Sequence, residues 1–189
     1  MIVVGDEVPA WCVGLVNVVR DRDKNRYEDS ERNVLAGLDL VQGWAYVTHD
    51  DCFVMRPVDY IAPAHRGPLG AIRGGTDYYK RARATAAWLA ARGLPGLNWN
   101  VHQPFLVSAA FYREVSASLE HLPAGFRNSV YANVRGLSGR LVVDPKITGT
   151  GVKPEEAWPV WSVSDSSFGR GWIGREVRMR FAAPGKYER

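Results

Sequence analysis

Two short apolar runs joined by a pair of acids constrain this chain more than any other stretch. Trp44-Ala45-Tyr46-Val47 is β-prone, and Asp50 and Asp51 follow it. Phe53-Val54-Met55 then runs to a stop at Pro57. Runs of this kind, aromatic and β-branched, read as strands buried on both faces. Two carboxylates at the end of such a strand would lie at the carboxyl edge of a sheet, where open α/β folds place ligands. Adjacent anions repel, and burying them is costly unless a cation compensates. For hard oxygen ligands that cation is Mg²⁺ or Mn²⁺, commonly shared with substrate phosphates. Asp-Asp between strands is also ordinary turn chemistry, and periodicity alone favours the turn.

The 189 residues suit one domain, with 46% hydrophobic and 23% charged residues arguing for a folded protein and against disorder. The net charge of +4 accommodates an anionic substrate or nucleic acid without requiring either. No stretch is dense enough in Lys and Arg to serve as a nucleic-acid arm. Seven tryptophans and eight tyrosines offer surfaces for stacking on a sugar or base, although most aromatics fill cores. The two cysteines, Cys12 and Cys52, both sit in apolar surroundings and read as buried free thiols in a reducing compartment. Asp6, Glu7 and Pro9 interrupt the apolar amino terminus before a signal-peptide core forms, and no apolar run reaches membrane-spanning length. The expectation is a cytoplasmic protein with no membrane partner.

Along the chain, Ile2 to Val4 and Val13 to Val19 read as strands, and Arg20 to Asp29 as a charged loop. A helix is expected from about Ser30, capped by Ser30 or Asp29, with Val34, Leu35, Leu38 and Val41 at helical spacing. Strand, strand, helix, strand favours an α/β sheet. Prolines and glycines make Arg56 to Gly75 extended coil. Asp77 to Arg92 is a run of helix formers, with Thr76 as N-cap and Gly93 as stop. Leu97 to Val101 reads as extended, Ser108 to His121 as helix and Arg140 to Ile147 as strand. The alternation of Val177, Met179 and Phe181 with arginines predicts a half-exposed strand over Gly174 to Phe181.

Besides the acid pair, three clusters carry chemistry. His102, before Gln103-Pro104, could be a metal ligand or a general base near neutral pH, although a lone histidine is more often structural. His65-Arg66-Gly67 could offer a guanidinium fork to a diphosphate or sugar hydroxyl, with glycine permitting close backbone approach. The competing reading is a surface arginine in a loop. Asp165, within Ser164-Asp165-Ser166-Ser167-Phe168, reads either as a site acid or as part of a short-helix cap. No cysteine dyad, phosphate-binding glycine loop or zinc spacing is present.

The run Tyr46 to Pro57 resembles the Asp-Asp strand end of glycosyltransferases with the GT-A fold. The likeness is to small phage-encoded members related to the Stealth sugar-phosphate transferases. Val3-Val4-Gly5-Asp6 with Pro9-Ala10-Trp11, then His65-Arg66-Gly67, Asn100 to Pro104, Asp144-Pro145-Lys146, Ser164 to Phe168 and Pro184 to Glu188 follow in the family's order. The resemblance implies a single GT-A-like domain, with a Rossmann-like mixed sheet flanked by helices. It also implies a nucleotide-sugar donor, a UDP-sugar, at the carboxyl edge of that sheet. A divalent cation, Mn²⁺ or Mg²⁺, would sit between the diphosphate and the acids. Asp51 would be the direct metal ligand, and Asp50 a second ligand or a contact to ribose or sugar. His102 would be a further ligand or a group beside the acceptor, and Arg26, Arg32 and Asn33 lie where the family contacts the donor.

Two features depart from the pattern. The chain begins at the counterpart of the family's second strand, which implies a donor base held differently, a sheet completed by a second copy of the chain, or impaired activity. His49 stands where asparagine is more usual. On this reading a metal-dependent glycosyltransferase is expected, with Arg66 and Gly67 at the donor and Asp165 or His102 as base toward an acceptor hydroxyl. The acceptor could be a hydroxymethylated base in phage DNA, with aromatics receiving the displaced base, or a virion protein or surface glycan. Two alternatives stand beside it. One is sugar-1-phosphate transfer, whose opening motif and final block are not found. The other is a sugar- or nucleic-acid-binding module on a degenerate transferase scaffold.

Overall fold

Helix and strand signals alternate along this chain, and the computed structural model resolves them into a mixed α/β architecture. It describes residues 1–5, 14–22, 25–119, 122–149 and 158–183. Asp6, Pro9-Ala10-Trp11, Cys12 and Pro184 to Glu188, all of which carried expectations above, lie outside these.

In chain order the elements are β1 (Ile2–Gly5), β2 (Val16–Val19), α1 (Arg26–Leu38), β3 (Trp44–Val47), β4 (Cys52–Val54) and β5 (Ala64–His65). They continue with α2 (Asp77–Ala90), β6 (Phe105–Ser108), α3 (Ala109–Ala117), α4 (Arg127–Arg135) and β7 (Arg140–Leu141). The chain closes with β8 (Lys146–Ile147), β9 (Val160–Val163), α5 (Asp165–Arg170) and α6 (Trp172–Arg180). Among the described residues the strands form four small sheets, not one continuous sheet. β1 lies parallel to β2, β3 antiparallel to β6, and β5 parallel to β7. β9 lies between antiparallel β4 and parallel β8. No described helix is long and apolar enough to cross a membrane.

The acid-pair strand is the first correction. Trp44 and Tyr46 are exposed while Ala45 and Val47 pack against the core, so β3 is covered on one face only. Its partner β6 supplies the buried side, with Phe105 and Val107 beside Tyr131 of α4. The acids themselves form the β3–β4 turn, closed by a bond from the Cys52 N–H to the His49 carbonyl (3.2 Å). The turn reading of Asp50-Asp51 therefore holds locally, and the following strand belongs to a different sheet.

Helix α1 begins at Arg26 and not at Ser30. Asn25 caps it by accepting from the Tyr27 N–H at 3.0 Å, and Glu28 and Asp29 complement the helix dipole in the first turn. The last four residues of the charged stretch expected as loop, Arg26 to Asp29, are thus the start of a helix. Helix α2 is as expected. Thr76 occupies its N-cap, and Gly93, with φ of 67°, ends the chain's helical course through its bond to Ala90. The strand expected over Arg140 to Ile147 is split into β7 and β8, because Pro145 cannot donate to a ladder.

Gly174 to Phe181, expected as a strand, belongs to α6. Ile173, Gly174 and Val177 fall on one helical face and are buried, whereas Met179 and Phe181 of the apparent alternation are exposed. Gly174 has a specific reason to be glycine, since a Cβ there would run into the Phe168 carbonyl of α5.

The extended segment Leu97 to Asn100 must satisfy its backbone groups without a sheet. Buried polar side chains of α4 do this. Asn133 accepts from the Leu97 N–H (3.0 Å) and donates to the Leu97 carbonyl (2.8 Å). Ser129 accepts from the Trp99 N–H (2.9 Å). On its other edge the segment pairs with the loop after β5. The Arg66 N–H donates to the Asn98 carbonyl and the Asn98 N–H to the Gly67 carbonyl, both at 2.8 Å. This double pairing sets Arg66 close to the residues that follow Asn100.

Candidate functional site

A cleft of about 220 Å³ opens between α1, the end of β3, the segment Asn100 to His102 and the amino-terminal ends of α2 and α4. Tyr27, Val34, Val47, Tyr78 and Tyr112 give it apolar and aromatic walls. His49 and His102 also line it. The Glu31–Arg127 ion pair (2.7 Å) and Asn128, which accepts from the Tyr112 hydroxyl (3.2 Å), are among its polar residues.

At one side of the cleft, at His102, three distant stretches converge. His102 Nδ1 lies 2.8 Å from Asp144 Oδ2 and 3.0 Å from Oδ1, and the His102 backbone N–H donates to Oδ1 at 3.1 Å. Arg66 Nη1 reaches Oδ2 of the same carboxylate at 3.0 Å. An ionised carboxylate accepts only, so His102 Nδ1 carries the proton toward Asp144, leaving Nε2 as the ring nitrogen able to accept one. Burial acts to raise the Asp144 carboxyl, but His102, by hydrogen bonds and charge, and then Arg66 hold it below the ordinary carboxylate value.

Beside this triad stands a second pair. Lys146 Nζ lies 2.5 Å from Asp51 Oδ2, with the two side chains 28% and 21% exposed. The pairing follows from the sheet. Lys146 is in register with Ser162 on β9, and Ser162 with Cys52 on β4, the residue after Asp51. Asp144 and Lys146 are two apart, the spacing that puts side chains of extended chain on one face. Burial opposes ionisation of Asp51, and the Lys146 ammonium overrides it, keeping the carboxyl below its ordinary value. Burial first, and then the Asp51 charge, push the neighbouring Cys52 thiol up to about 11. His49 joins the two groups, within electrostatic reach of Asp51, Asp50, His102 and Lys146. His49 is exposed at the turn, and partial desolvation against the cleft lowers its imidazole below the ordinary value despite the acids.

The structure thus brings Asp50, Asp51, Arg66, Gly67 and His102 into one neighbourhood. Asp50 is exposed, and among the described residues its carboxylate makes no hydrogen bond or ion pair. Gly67 has φ of 83°, so its glycine serves the backbone conformation that lets its N–H bond to His65 Nδ1 (3.1 Å). Asp165 is exposed at the start of α5, two residues beyond Val163, whose N–H donates to the Asp51 carbonyl (3.0 Å). It is the acid in the first turn of this helix, whose N-cap is Ser164, accepting from the Ser167 N–H. Arg26 does not line this cleft; it lies over the Tyr27 ring (4.9 Å) and borders a neighbouring groove with Thr76 and Asp77.

Arg32 and Asn33 do not line this cleft. Arg32 borders a different groove with Glu28 and Leu35, and Asn33 accepts from Arg20 Nη1 (2.5 Å). Sequence reasoning gave no role to His49, Asp144 or Lys146, although Asp144-Pro145-Lys146 stood out as a motif. The signal that could have found them was the unmet charge of Asp51, which requires a cation from elsewhere in the chain.

The divalent cation implied by the resemblance would be held by Asp50 and Asp51. As the side chains stand, that set fits it poorly. Asp51 Oδ2 already accepts from the Lys146 ammonium, and Oδ1 faces the Cys52 thiol at 3.5 Å. Among the described residues, no three His, Cys, Asp or Glu side chains group as a metal site.

No family model matches the chain, and comparison with curated proteins and with solved structures finds no match.

Proposed function

We propose that the protein is a glycosyltransferase that moves a sugar from a nucleotide-sugar donor, a UDP-sugar, to an acceptor hydroxyl, on a GT-A-like domain. One observation carries this reading. His102 lines the cleft with its Nδ1 on Asp144, a carboxylate that also holds Arg66, and His49, which lines the same cleft, lies within electrostatic reach of both His102 and the Asp51–Lys146 pair. The resemblance of these same stretches to the transferases supports it.

In the proposed reaction, His102 Nε2 takes the proton of the acceptor hydroxyl as its oxygen attacks the anomeric carbon. The bond from that carbon to the diphosphate oxygen breaks, and the nucleoside diphosphate departs with the electron pair. Asp144 holds the imidazole in the required tautomer, as an orienting carboxylate does for any histidine base. Arg66 supplies a charge-assisted contact to the departing anion. Asp165 is the alternative base. The aromatic walls of the cleft suit a ring, sugar or base, stacked against Tyr27 or Tyr78. A hydroxymethylated base in phage DNA and a virion protein are the acceptors proposed.

The test uses UDP-sugars labelled in the sugar, incubated with the purified protein and with hydroxymethylated DNA or virion protein. Transfer of label, or slow release of free sugar, is expected. His102→Gln should reduce it by about 10²–10⁴-fold, the usual contribution of a general base. Absence of both transfer and hydrolysis for every nucleotide sugar, or a His102→Gln variant as active as wild type, overturns the reading.

A further inference from the structure

We propose that Lys146 is the resident cation of the donor site, so that the donor diphosphate binds to a protein ammonium without needing a divalent metal ion. The inference rests on the glycosyl-transfer reading and departs from the metal dependence that the resemblance implies.

Charge and coordination carry the argument. Asp51 is the acid that a metal would need, and its Oδ2 is in charge-assisted contact with Lys146 Nζ at 2.5 Å. A metal at that oxygen would have to displace an ammonium that the sheet holds in place. Lys146 is a strand residue of β8, paired through β9 to the strand that begins beside Asp51. It is therefore positioned by ladder hydrogen bonds and does not have to be recruited from a flexible loop.

An ammonium carries three donors in all. Asp51 takes one, and two remain for phosphate oxygens. Arg66 sits on Asp144, two residues before Lys146 in the chain, with 35% of its side chain exposed, so part of its fork is open to a ligand. Lys146 and Arg66 together present two positive charges, matching the charge that a single divalent ion would bring. Asp50, whose carboxylate makes no hydrogen bond or ion pair among the described residues, can then accept from ribose or sugar hydroxyls. Asp51 in this arrangement is the positioning residue for Lys146.

The experiment is calorimetric titration of UDP and UDP-sugars into the full chain, once with Mn²⁺ and once with EDTA. Variants Lys146→Met and Lys146→Arg follow, with circular dichroism to confirm that each is folded. Binding to wild type that persists in EDTA, weakens about tenfold or more in Lys146→Met and is largely kept in Lys146→Arg is the expected result, the tenfold being the loss of one hydrogen bond to a charged group. Binding that appears only with Mn²⁺ overturns the inference while leaving the donor reading intact. Equal binding by wild type and a folded Lys146→Met also overturns it. No binding of UDP or any UDP-sugar in either buffer overturns both.

Discussion

Replacing Asp144 by alanine tests the centre of the site, because three bonds end on that one carboxylate. His102 Nδ1 at 2.8 Å, the His102 N–H at 3.1 Å and Arg66 Nη1 at 3.0 Å all lose their acceptor. A hydrogen bond to a charged group is worth about 1.5–3 kcal/mol. The three do not add, since His102 and Arg66 are 33% and 35% exposed and recover water once released, whereas Asp144 is 14% exposed. A net loss of about 2–3 kcal/mol follows. For a chain of this size each kcal/mol moves the melting temperature by about 2–4 °C, so the variant should melt roughly 5–10 °C lower at neutral pH.

The pH dependence has a definite sign. Asp144 is held below its ordinary value of 3.8 in the folded protein, so its stabilisation is complete above that value and disappears as pH falls through the lowered one. Melting curves followed by circular dichroism, at neutral pH and stepwise into acid, should therefore show the gap between wild type and Asp144→Ala closing below the carboxylate range. A neutral-pH melting temperature within about 1 °C of wild type, or a gap that stays constant down the titration, refutes the reasoning.

Two further outcomes are expected. Gly174→Ala should destabilise the protein by about 1–3 kcal/mol or prevent α5 and α6 from packing, because its Cβ meets the Phe168 carbonyl; urea unfolding measures this, and a wild-type midpoint would show that the two helices have slack. Cys52, its thiol raised to about 11 by burial and by Asp51, should resist iodoacetamide at mildly alkaline pH while the protein is folded and react once it is denatured. Peptide mapping reads this, and rapid modification of folded protein would contradict the assigned environment.

Much of the local order was legible from residue type. Helix α2 could be bounded by Thr76 and Gly93 because each end has its own chemistry, and β3 stood out by composition. Helix α4 was missed for a physical reason. Its buried face includes Ser129 and Asn133, whose polar side chains satisfy the Leu97 to Trp99 backbone, so no apolar periodicity marks it. Strand β6 was hidden because Ser108 both ends the strand and caps α3, leaving no loop between them. The false strand at Gly174 to Phe181 shows the reverse error, an alternation that tertiary packing ignores. At the site, His102, Arg66 and Asp51 were visible as residue types able to do chemistry. Their partners were not, since Asp51 meets Lys146 across 95 positions and His102 meets Asp144 across 42. Such pairings are fixed by sheet register and loop path, which local sequence does not encode.

The four small sheets give Asp144 a second meaning. Arg66 follows β5, His102 precedes β6, and Asp144 leads into β8, so one carboxylate ties together three sheets that share no ladder. The site is in this sense a rivet as well as a workplace. A ligand that draws Arg66 away loosens that rivet unless it ties the same parts together itself. Occupancy of the cleft should then be felt as a change in the rate at which backbone amides in separate sheets open to solvent, a long-range signal transmitted without any moving domain.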